Sequence, residues 1–188
     1  MKLLLILLMI LAGCSAQPEQ SPYTATEGSR EEIIELMEAN TPAPQEYTAE
    51  SLIYGNTGES SEHLATLCSD WNIDYEAFKR CVTEYNINPD YALAVFILET
   101  DHGKSNLWVN CNNPAGIKRS SKGYKCNTTQ SGFCIYPDKE TGIEQLFVVM
   151  HRLATEYERT TIESMRSVWS ETEDTNVIVK IMNDIREK

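Results

Sequence analysis

The chain is short and strongly acidic. It has 188 residues, and 28 Asp and Glu residues against 16 Lys and Arg residues leave a formal net charge of −12. The length suits one domain of modest size with short extensions. The charge argues against a nucleic-acid partner, because binding to phosphates requires a surface rich in Lys and Arg.

The N-terminus has the pattern of an export signal. Met1 and Lys2 precede an uncharged run, Leu3–Leu11, which continues into Ala12-Gly13-Cys14. The run is shorter than a membrane-spanning helix requires and is typical of a secretory signal peptide. The segment Leu-Ala-Gly-Cys resembles the bacterial lipoprotein box, which implies removal of residues 1–13 and lipidation of Cys14. We therefore expect a lipoprotein anchored to a membrane of the cell envelope, on its extracytoplasmic side; the alternative is an ordinary signal peptide with an unrelated cysteine.

Residues 14–46 are expected to be a lipidated tether with a short helix. The tether is polar and contains Pro and Gly, which disfavour regular structure. Ser29 and Glu32 form a capping box before one apolar stripe, and the segment 40–45 then breaks the pattern. Residues 47–188 are left as one catalytic domain.

The periodicity of that domain is mainly helical. Asn88 and Pro89 form a helix start, and Asp138 caps a long helix with an apolar side. The predicted helices cover residues 75–85, 89 to about 100, 104–109, 138 to about 153, and 176–185. The segment 122–136 is rich in Thr, Gly, Asn and Tyr and predicts a small β-hairpin that turns near 127–132.

Glu99 is the residue with the most distinctive setting. It follows the apolar run Tyr91–Leu98, which as a helix would be buried on nearly all sides. Desolvation and the negative end of the helix dipole both favour the protonated form of a carboxyl group there. A protonated carboxyl near neutral pH is what a general acid for glycosidic cleavage needs. The alternative is a glutamate that emerges at the helix end and is solvated.

The residues around Glu99 resemble a family signature. Glu99-Thr100-x-x-Gly103-x-Ser105, then Asn112-Asn113-x-x-Gly116-Ile117-Lys118, then Phe133-Cys134-Ile135-Tyr136, are similar to glycoside hydrolase family 73 over about residues 74–157. These enzymes are peptidoglycan N-acetylglucosaminidases. The resemblance implies a lysozyme-like fold, glycan strands as substrate, and neither cofactor nor metal. It implies catalytic roles for Glu99 and Tyr136. It implies substrate-binding or cleft-shaping roles for Ser105, Asn112, Asn113, Gly116 and Lys118, although a buried Asn can hold a loop as easily as a ligand.

The sequence departs from the family at the second carboxylate. Family members often carry a Glu in the hairpin, whereas residues 122–136 contain no Asp or Glu. Asp101, Asp138 and Glu140 are possible substitutes. Another route is substrate assistance, in which the N-acetyl oxygen stabilises the oxocarbenium-like centre and Tyr136 orients the sugar or the water.

The positive charges near the motif have two interpretations. Lys104, Lys118, Arg119, Lys122 and Lys125 could meet the carboxylates of peptidoglycan stem peptides. They could equally form a solvated loop.

Five cysteines follow Cys14, and an exported protein should oxidise them. Cys68 could bridge Cys81, and Cys126 could bridge Cys134 across the hairpin. Cys111 is then left over or competes for Cys126. Zinc binding is disfavoured because no Cys-x-x-Cys pair occurs. No motif supports a nucleophilic cysteine with His102 or His151 as its base.

Three other functions stay open. A lytic transglycosylase manages with one glutamate, although the Gly-Leu-Met-Gln block typical of that group is absent. A lipoprotein that binds glycan without cleaving it is the second. The third is an adaptor in envelope assembly that uses the face near 177–185 and whose protein partners are unknown.

Overall fold

Helices dominate the computed structural model, which describes residues 46–55, 62–119, 126–169 and 175–187. The predicted signal peptide, Cys14, and nearly all of the tether with its short helix lie outside the described residues. The helices are α1 (Glu62–Asp70), α2 (Tyr75–Tyr85), α3 (Pro89–Thr100), α4 (Asn106–Cys111), α5 (Lys139–Tyr157), α6 (Ile162–Trp169) and α7 (Thr175–Arg186). The strands are β1 (Asn127–Thr128) and β2 (Cys134–Ile135). The predicted fold class, mainly α with one small hairpin, is confirmed.

Helix α3 is the centre of the core. Residues 89–97 of this helix are all buried, as its uniformly apolar sequence predicts. Its start is also as predicted, because the Asn88 side chain accepts a hydrogen bond from Tyr91 N–H at 3.0 Å and Pro89 follows as the first helical residue. Phe96 packs edge-on against Trp108 of α4, with the ring centroids 5.0 Å apart. The helix that ends near Glu99 is therefore held from several sides.

Helix α7 contributes to the same core. It turns Ile178, Met182 and Ile185 inward, so much of the apolar face expected near 177–185 is already covered by the domain. Val177 is exposed at its start. None of the described helices is both long enough and apolar enough to cross a membrane.

The hairpin lies where the sequence predicts it, but each of its strands is only two residues long. Asn127 pairs with Ile135 and Thr128 with Cys134, antiparallel. Cys134 N–H also donates to the Ile117 carbonyl at 2.8 Å, so the segment before the hairpin joins it. The predicted disulfide between Cys126 and Cys134 is present and cross-links this unit.

The expected bridge between Cys68 and Cys81 is wrong. Both thiols are free and buried, and so is Cys111. Burial raises the pKa of Cys68 to about 12, with the Asp74 carboxylate adding to the effect. Burial likewise raises the pKa of Cys81 to about 11, with Glu144 of α5 adding to it. Both side chains belong to the hydrophobic core as free thiols, which spacing along the chain did not reveal.

Two helices were not predicted, and one predicted start was misplaced. The structure contains α1 and α6, and α4 begins at Asn106 because Ser105 caps it. Helix α6 depends on distant backbone: Ile162 N–H donates to Ser51 O at 3.2 Å and Glu163 N–H to Ala49 O at 3.0 Å. Such contacts leave no local signal in the sequence.

The segment 51–55 links two helix starts. Ile53 N–H donates to Thr160 O at 2.9 Å, just before α6, and Ile53 O accepts from Asn88 N–H at 2.8 Å, just before α3. Ile53 itself is fully buried. This bridge fixes where α6 begins relative to α3.

Candidate active site

Glu99 lies in the last turn of α3, where its side chain is 24% exposed. Its Oε1 atom accepts a hydrogen bond from the guanidinium of Arg166 on α6 at 2.9 Å. The Arg166 side chain is only 4% exposed. The candidate acid is therefore part of a largely buried ion pair.

Arg166 is a residue that the sequence analysis missed. It lies one turn after Ile162 and next to Met165, both of which are fully buried. An arginine on the apolar side of a short amphipathic helix is a usable signal, because Arg is rarely buried without a partner.

Tyr91 lies close to the same pair. Its hydroxyl is buried and has no hydrogen-bond partner among the described groups. Burial raises the pKa of Tyr91 far above its ordinary value, the Glu99 carboxylate adds to this, and Arg166 opposes it. The site thus combines three groups that interact with one another: the carboxyl of Glu99, the guanidinium of Arg166 and the neutral phenol of Tyr91.

The turn after Glu99 is tightly organised. Asp101, His102 and Gly103 all have positive φ angles, of 48°, 56° and 76°. Thr100 holds the turn: its hydroxyl accepts from Gly103 N–H at 2.8 Å, and its carbonyl accepts from Ser105 N–H at 2.7 Å. Successive left-handed residues other than Gly are uncommon and persist only where their surroundings fix them. The end of α3 is therefore held in one geometry.

Gly103 is required on two grounds. Its φ angle disfavours a side chain, and an added Cβ would lie 3.3 Å from Trp71. Ser105, a predicted substrate-binding residue, accepts a hydrogen bond from Trp108 N–H at 3.2 Å and so caps α4.

A groove with aromatic and charged walls adjoins this turn. Its lining includes Asp70, Trp71, His102, Lys104, Trp108 and Lys139. The ammonium of Lys139 lies over the Trp108 ring, 4.8 Å from its centroid. Lys104, one of the cations expected to meet stem-peptide carboxylates, therefore faces this groove.

Asn113 is fully buried, and its side chain forms hydrogen bonds with backbone groups. Its amide group donates to Ile117 O at 2.8 Å and to Cys134 O at 3.0 Å, while its oxygen accepts from Ile117 N–H at 2.8 Å and Ala115 N–H at 3.4 Å. This arrangement supports the alternative in which the side chain holds a loop. Asn112 has a related role, since it donates to Tyr136 O at 3.0 Å.

The remaining predicted residues surround the hairpin. Gly116 has a φ of 59°, and Lys118 is exposed with its ammonium 5.3 Å from the centre of the Phe133 ring. Tyr136 is buried against the Cys126–Cys134 disulfide. Direct contact between these residues and a substrate stays a prediction.

The candidate second carboxylates have other partners. Asp138 caps α5, and the Thr141 N–H group holds its pKa below the ordinary value. Glu140 pairs with Arg80 on α2. Asp101 is 81% exposed and lies 3.6 Å from His102. Of these three carboxylates, Asp138 is a helix cap, whereas Glu140 and Asp101 are exposed and lie beside basic residues.

Gly142 is a second residue that the sequence analysis missed. A Cβ added there would lie 1.9 Å from the Asn112 carbonyl oxygen. Helix α5 therefore passes directly against the Asn112–Asn113 loop. A glycine inside a helical pattern, which is otherwise unfavourable, was the available signal.

The comparison with known families covers the segment that contains these residues. The glucosaminidase family model, described as mannosyl-glycoprotein endo-beta-N-acetylglucosaminidase, matches residues 75–182, more than half of the chain. The match begins with α2 and includes Glu99, Gly142 and Arg166. No curated protein matches the chain. The chain belongs to the glucosaminidase family, glycoside hydrolase family 73.

Proposed function

We propose that the protein hydrolyses the β-1,4 bond that follows N-acetylglucosamine in peptidoglycan glycan strands, with Glu99 as the general acid. The family match supports glucosaminidase chemistry. The observation that carries the assignment is the position of Glu99: a partly exposed carboxyl at the end of a buried helix, before a turn that fixes its geometry. A general acid needs this combination of access and fixed orientation.

The proposed reaction begins with proton transfer from Glu99 to the glycosidic oxygen. The bond between that oxygen and the anomeric carbon breaks, and the electron pair stays on the leaving sugar. Positive charge develops at the anomeric carbon, where the N-acetyl oxygen of the same sugar is the proposed stabilising group. Water then supplies a hydroxyl group to the carbon, and its remaining proton returns to the Glu99 carboxylate, which restores the acid. Tyr136 is the proposed residue that orients the water.

The decisive variant is Glu99→Gln, which removes the transferable proton and keeps the size of the side chain. Release of reducing ends from purified peptidoglycan should fall by about 10²–10⁴-fold. Because Arg166 loses its charged partner in this variant, thermal melting is needed to establish that the protein is folded. Glu163→Gln is a matched control, because Glu163 is an exposed carboxylate on α6. A folded Glu99→Gln protein with wild-type activity would rule out this mechanism.

The lytic transglycosylase alternative is favoured by one observation, the absence of any acidic residue from 122 to 136. Mass spectrometry of digested sacculi separates the two reactions. A hydrolase leaves reducing ends, and a transglycosylase leaves anhydro ends. Glycan binding without either product would indicate a non-catalytic lipoprotein.

The proposed location is the extracytoplasmic face of a membrane, through lipid on Cys14. A lipid anchor binds because each buried methylene contributes about 0.8 kcal/mol. Cys14→Ser should release soluble protein or leave an uncleaved precursor, measured by membrane fractionation and by the mature mass. If both are unchanged in the variant, the anchor is wrong.

A further inference from the structure

Arg166 is a buried cation that uses little of its bonding capacity. A guanidinium has five N–H donors, and here one nitrogen donates to Glu99 Oε1 while the buried Nε has no partner among the described groups. Removing such a charge from water is costly unless the surroundings compensate. Within the described part of the chain, its contact with a partly exposed carboxylate is weak compensation, so stability alone does not account for this residue.

The helix that carries Arg166 is held by the core. Ile162 and Met165 anchor α6 with fully buried side chains, and the backbone of α6 begins on the segment 49–53. That segment is bonded in turn to Asn88 at the start of α3. The backbone that carries Arg166 is therefore fixed by contacts other than the one with Glu99, which favours electrostatic preorganisation.

We infer that Arg166 is a positioning residue that stabilises the carboxylate which Glu99 becomes when it donates its proton. This inference rests on the proposed function. In that step the proton passes to the glycosidic oxygen, the C–O electron pair stays on the leaving sugar, and Glu99 gains the negative charge. Arg166 interacts more strongly with that product charge than with the neutral acid, so the interaction lowers the barrier.

The predicted effect is on the chemical step. Glu99 gains its negative charge only as the proton is transferred, so the contact with Arg166 is strongest in the transition state and after it. Removing the positive charge should therefore lower kcat more than it changes KM.

The other charged and titratable groups around Glu99 are neutral or exposed. Tyr91 on α3 is held neutral by burial. In the next turn Asp101 and His102 lie against each other and are exposed. On α6 Glu163 is exposed.

On α7 the charged groups are also engaged or exposed. Lys180 is exposed, and Arg186 lies 3.4 Å from Asp90, at the opposite end of α3. Asp184 lines a separate pocket with His63 and His102.

The test compares Arg166→Met and Arg166→Lys with the wild type. Methionine removes the charge and keeps most of the volume, whereas lysine keeps the charge. Arg80→Met is the matched control, because Arg80 forms an exposed ion pair with Glu140. The measurements are kcat and KM for reducing-end release, with thermal melting of each protein.

Arg166→Met should lose about tenfold to a hundredfold in kcat with little change in KM, because the charge is needed only as Glu99 loses its proton. Arg166→Lys should recover most of that loss, and Arg80→Met should keep the wild-type kcat. A folded Arg166→Met protein with the wild-type kcat overturns the inference. If Arg166→Met does not fold, Arg166→Lys decides: a kcat close to that of the wild type supports the role of charge, and a folded protein that loses tenfold or more overturns it.

The two proposals fail in different ways. An inactive wild type, or a fully active Glu99→Gln, overturns the proposed function and this inference with it. An active wild type, an inactive Glu99→Gln and a folded Arg166→Met protein with the wild-type kcat overturn the role of Arg166 alone.

Discussion

Gly142 and Asn112 meet backbone to backbone. The Asn112 carbonyl oxygen occupies the space that a side chain at residue 142 would need, with a Cβ only 1.9 Å from it. Helix α5 therefore sets the position of the loop that carries Asn112 and Asn113, and through Tyr136 O it reaches the hairpin. The site wall depends on a glycine in the first turns of α5, far from Glu99 in sequence.

Gly142→Ala should destabilise the domain by about 1–3 kcal/mol, because helix and loop must separate. In an ordinary helix position the same change stabilises by about 1 kcal/mol, so the sign of the effect is the test. Urea unfolding measures it. Gly132→Ala is the control: no atom of the described residues lies within 4 Å of its Cβ position, and its positive φ of 81° carries a cost of about 1 kcal/mol. A stabilised Gly142→Ala protein would refute the close contact.

Asn113→Ala should cost about 3 kcal/mol or more of unfolding free energy, because it leaves several buried backbone groups without partners. Asn112→Ala loses one hydrogen bond at a half-buried site and places an alanine at a φ of 53°, so it should cost about 1–2 kcal/mol. Unfolding curves and kcat/KM on peptidoglycan are measured together. If Asn113→Ala keeps its stability while only KM rises, then Asn113 contacts the substrate and does not hold the loop.

The cysteines should show one disulfide and three hidden thiols. In a Cys14→Ser protein, Cys68, Cys81 and Cys111 should react with an alkylating reagent only after unfolding. For Cys68 and Cys81 the raised pKa values add to steric protection, since the thiolate is the reactive form, and the native rate should be more than about tenfold below the unfolded rate. Non-reducing peptide mapping should find Cys126 linked to Cys134. A peptide that links Cys68 to Cys81, with Cys111 as the single thiol, would instead restore that bridge.

The disulfide should contribute about 2–3 kcal/mol through its short loop. Cys126→Ser with Cys134→Ser in one protein is the variant to measure. Its unfolding midpoint should fall, and reductant should then have no further effect. A midpoint equal to that of the oxidised wild type would contradict the expected contribution.

Stability should fall as the pH rises above about 10, the ordinary pKa of a tyrosine. Burial raises the pKa of Tyr85 to about 12 and raises the pKa values of Tyr47 and Tyr91 further, so the folded state resists ionisation that the unfolded chain accepts. Their contribution is complete below that pH and is lost as the pH rises toward the folded pKa values. Circular dichroism and tyrosinate absorbance should change together. Tyr91→Phe should move this transition to higher pH, whereas Tyr157→Phe, at an exposed site, should not.

The sequence by itself determined the elements whose signals are local. The uniformly apolar run of α3, its Asn88 cap, the Asp138 cap of α5 and the disulfide across the hairpin all follow from residues within a few positions of each other. Those signals act through backbone hydrogen bonds and side-chain periodicity, which operate over short separations. They also place Glu99 at the end of a buried helix.

Only the tertiary structure decided what Glu99 meets. Arg166 lies 67 residues away in sequence, on a helix whose start depends on backbone groups near residue 50. The free Cys68 and Cys81 and the close approach at Gly142 likewise arise from how helices pack, because spacing along the chain does not specify which faces come together. Packing is collective, and the balance between a buried charge, its partner and the surrounding core is set only when all the elements are in place.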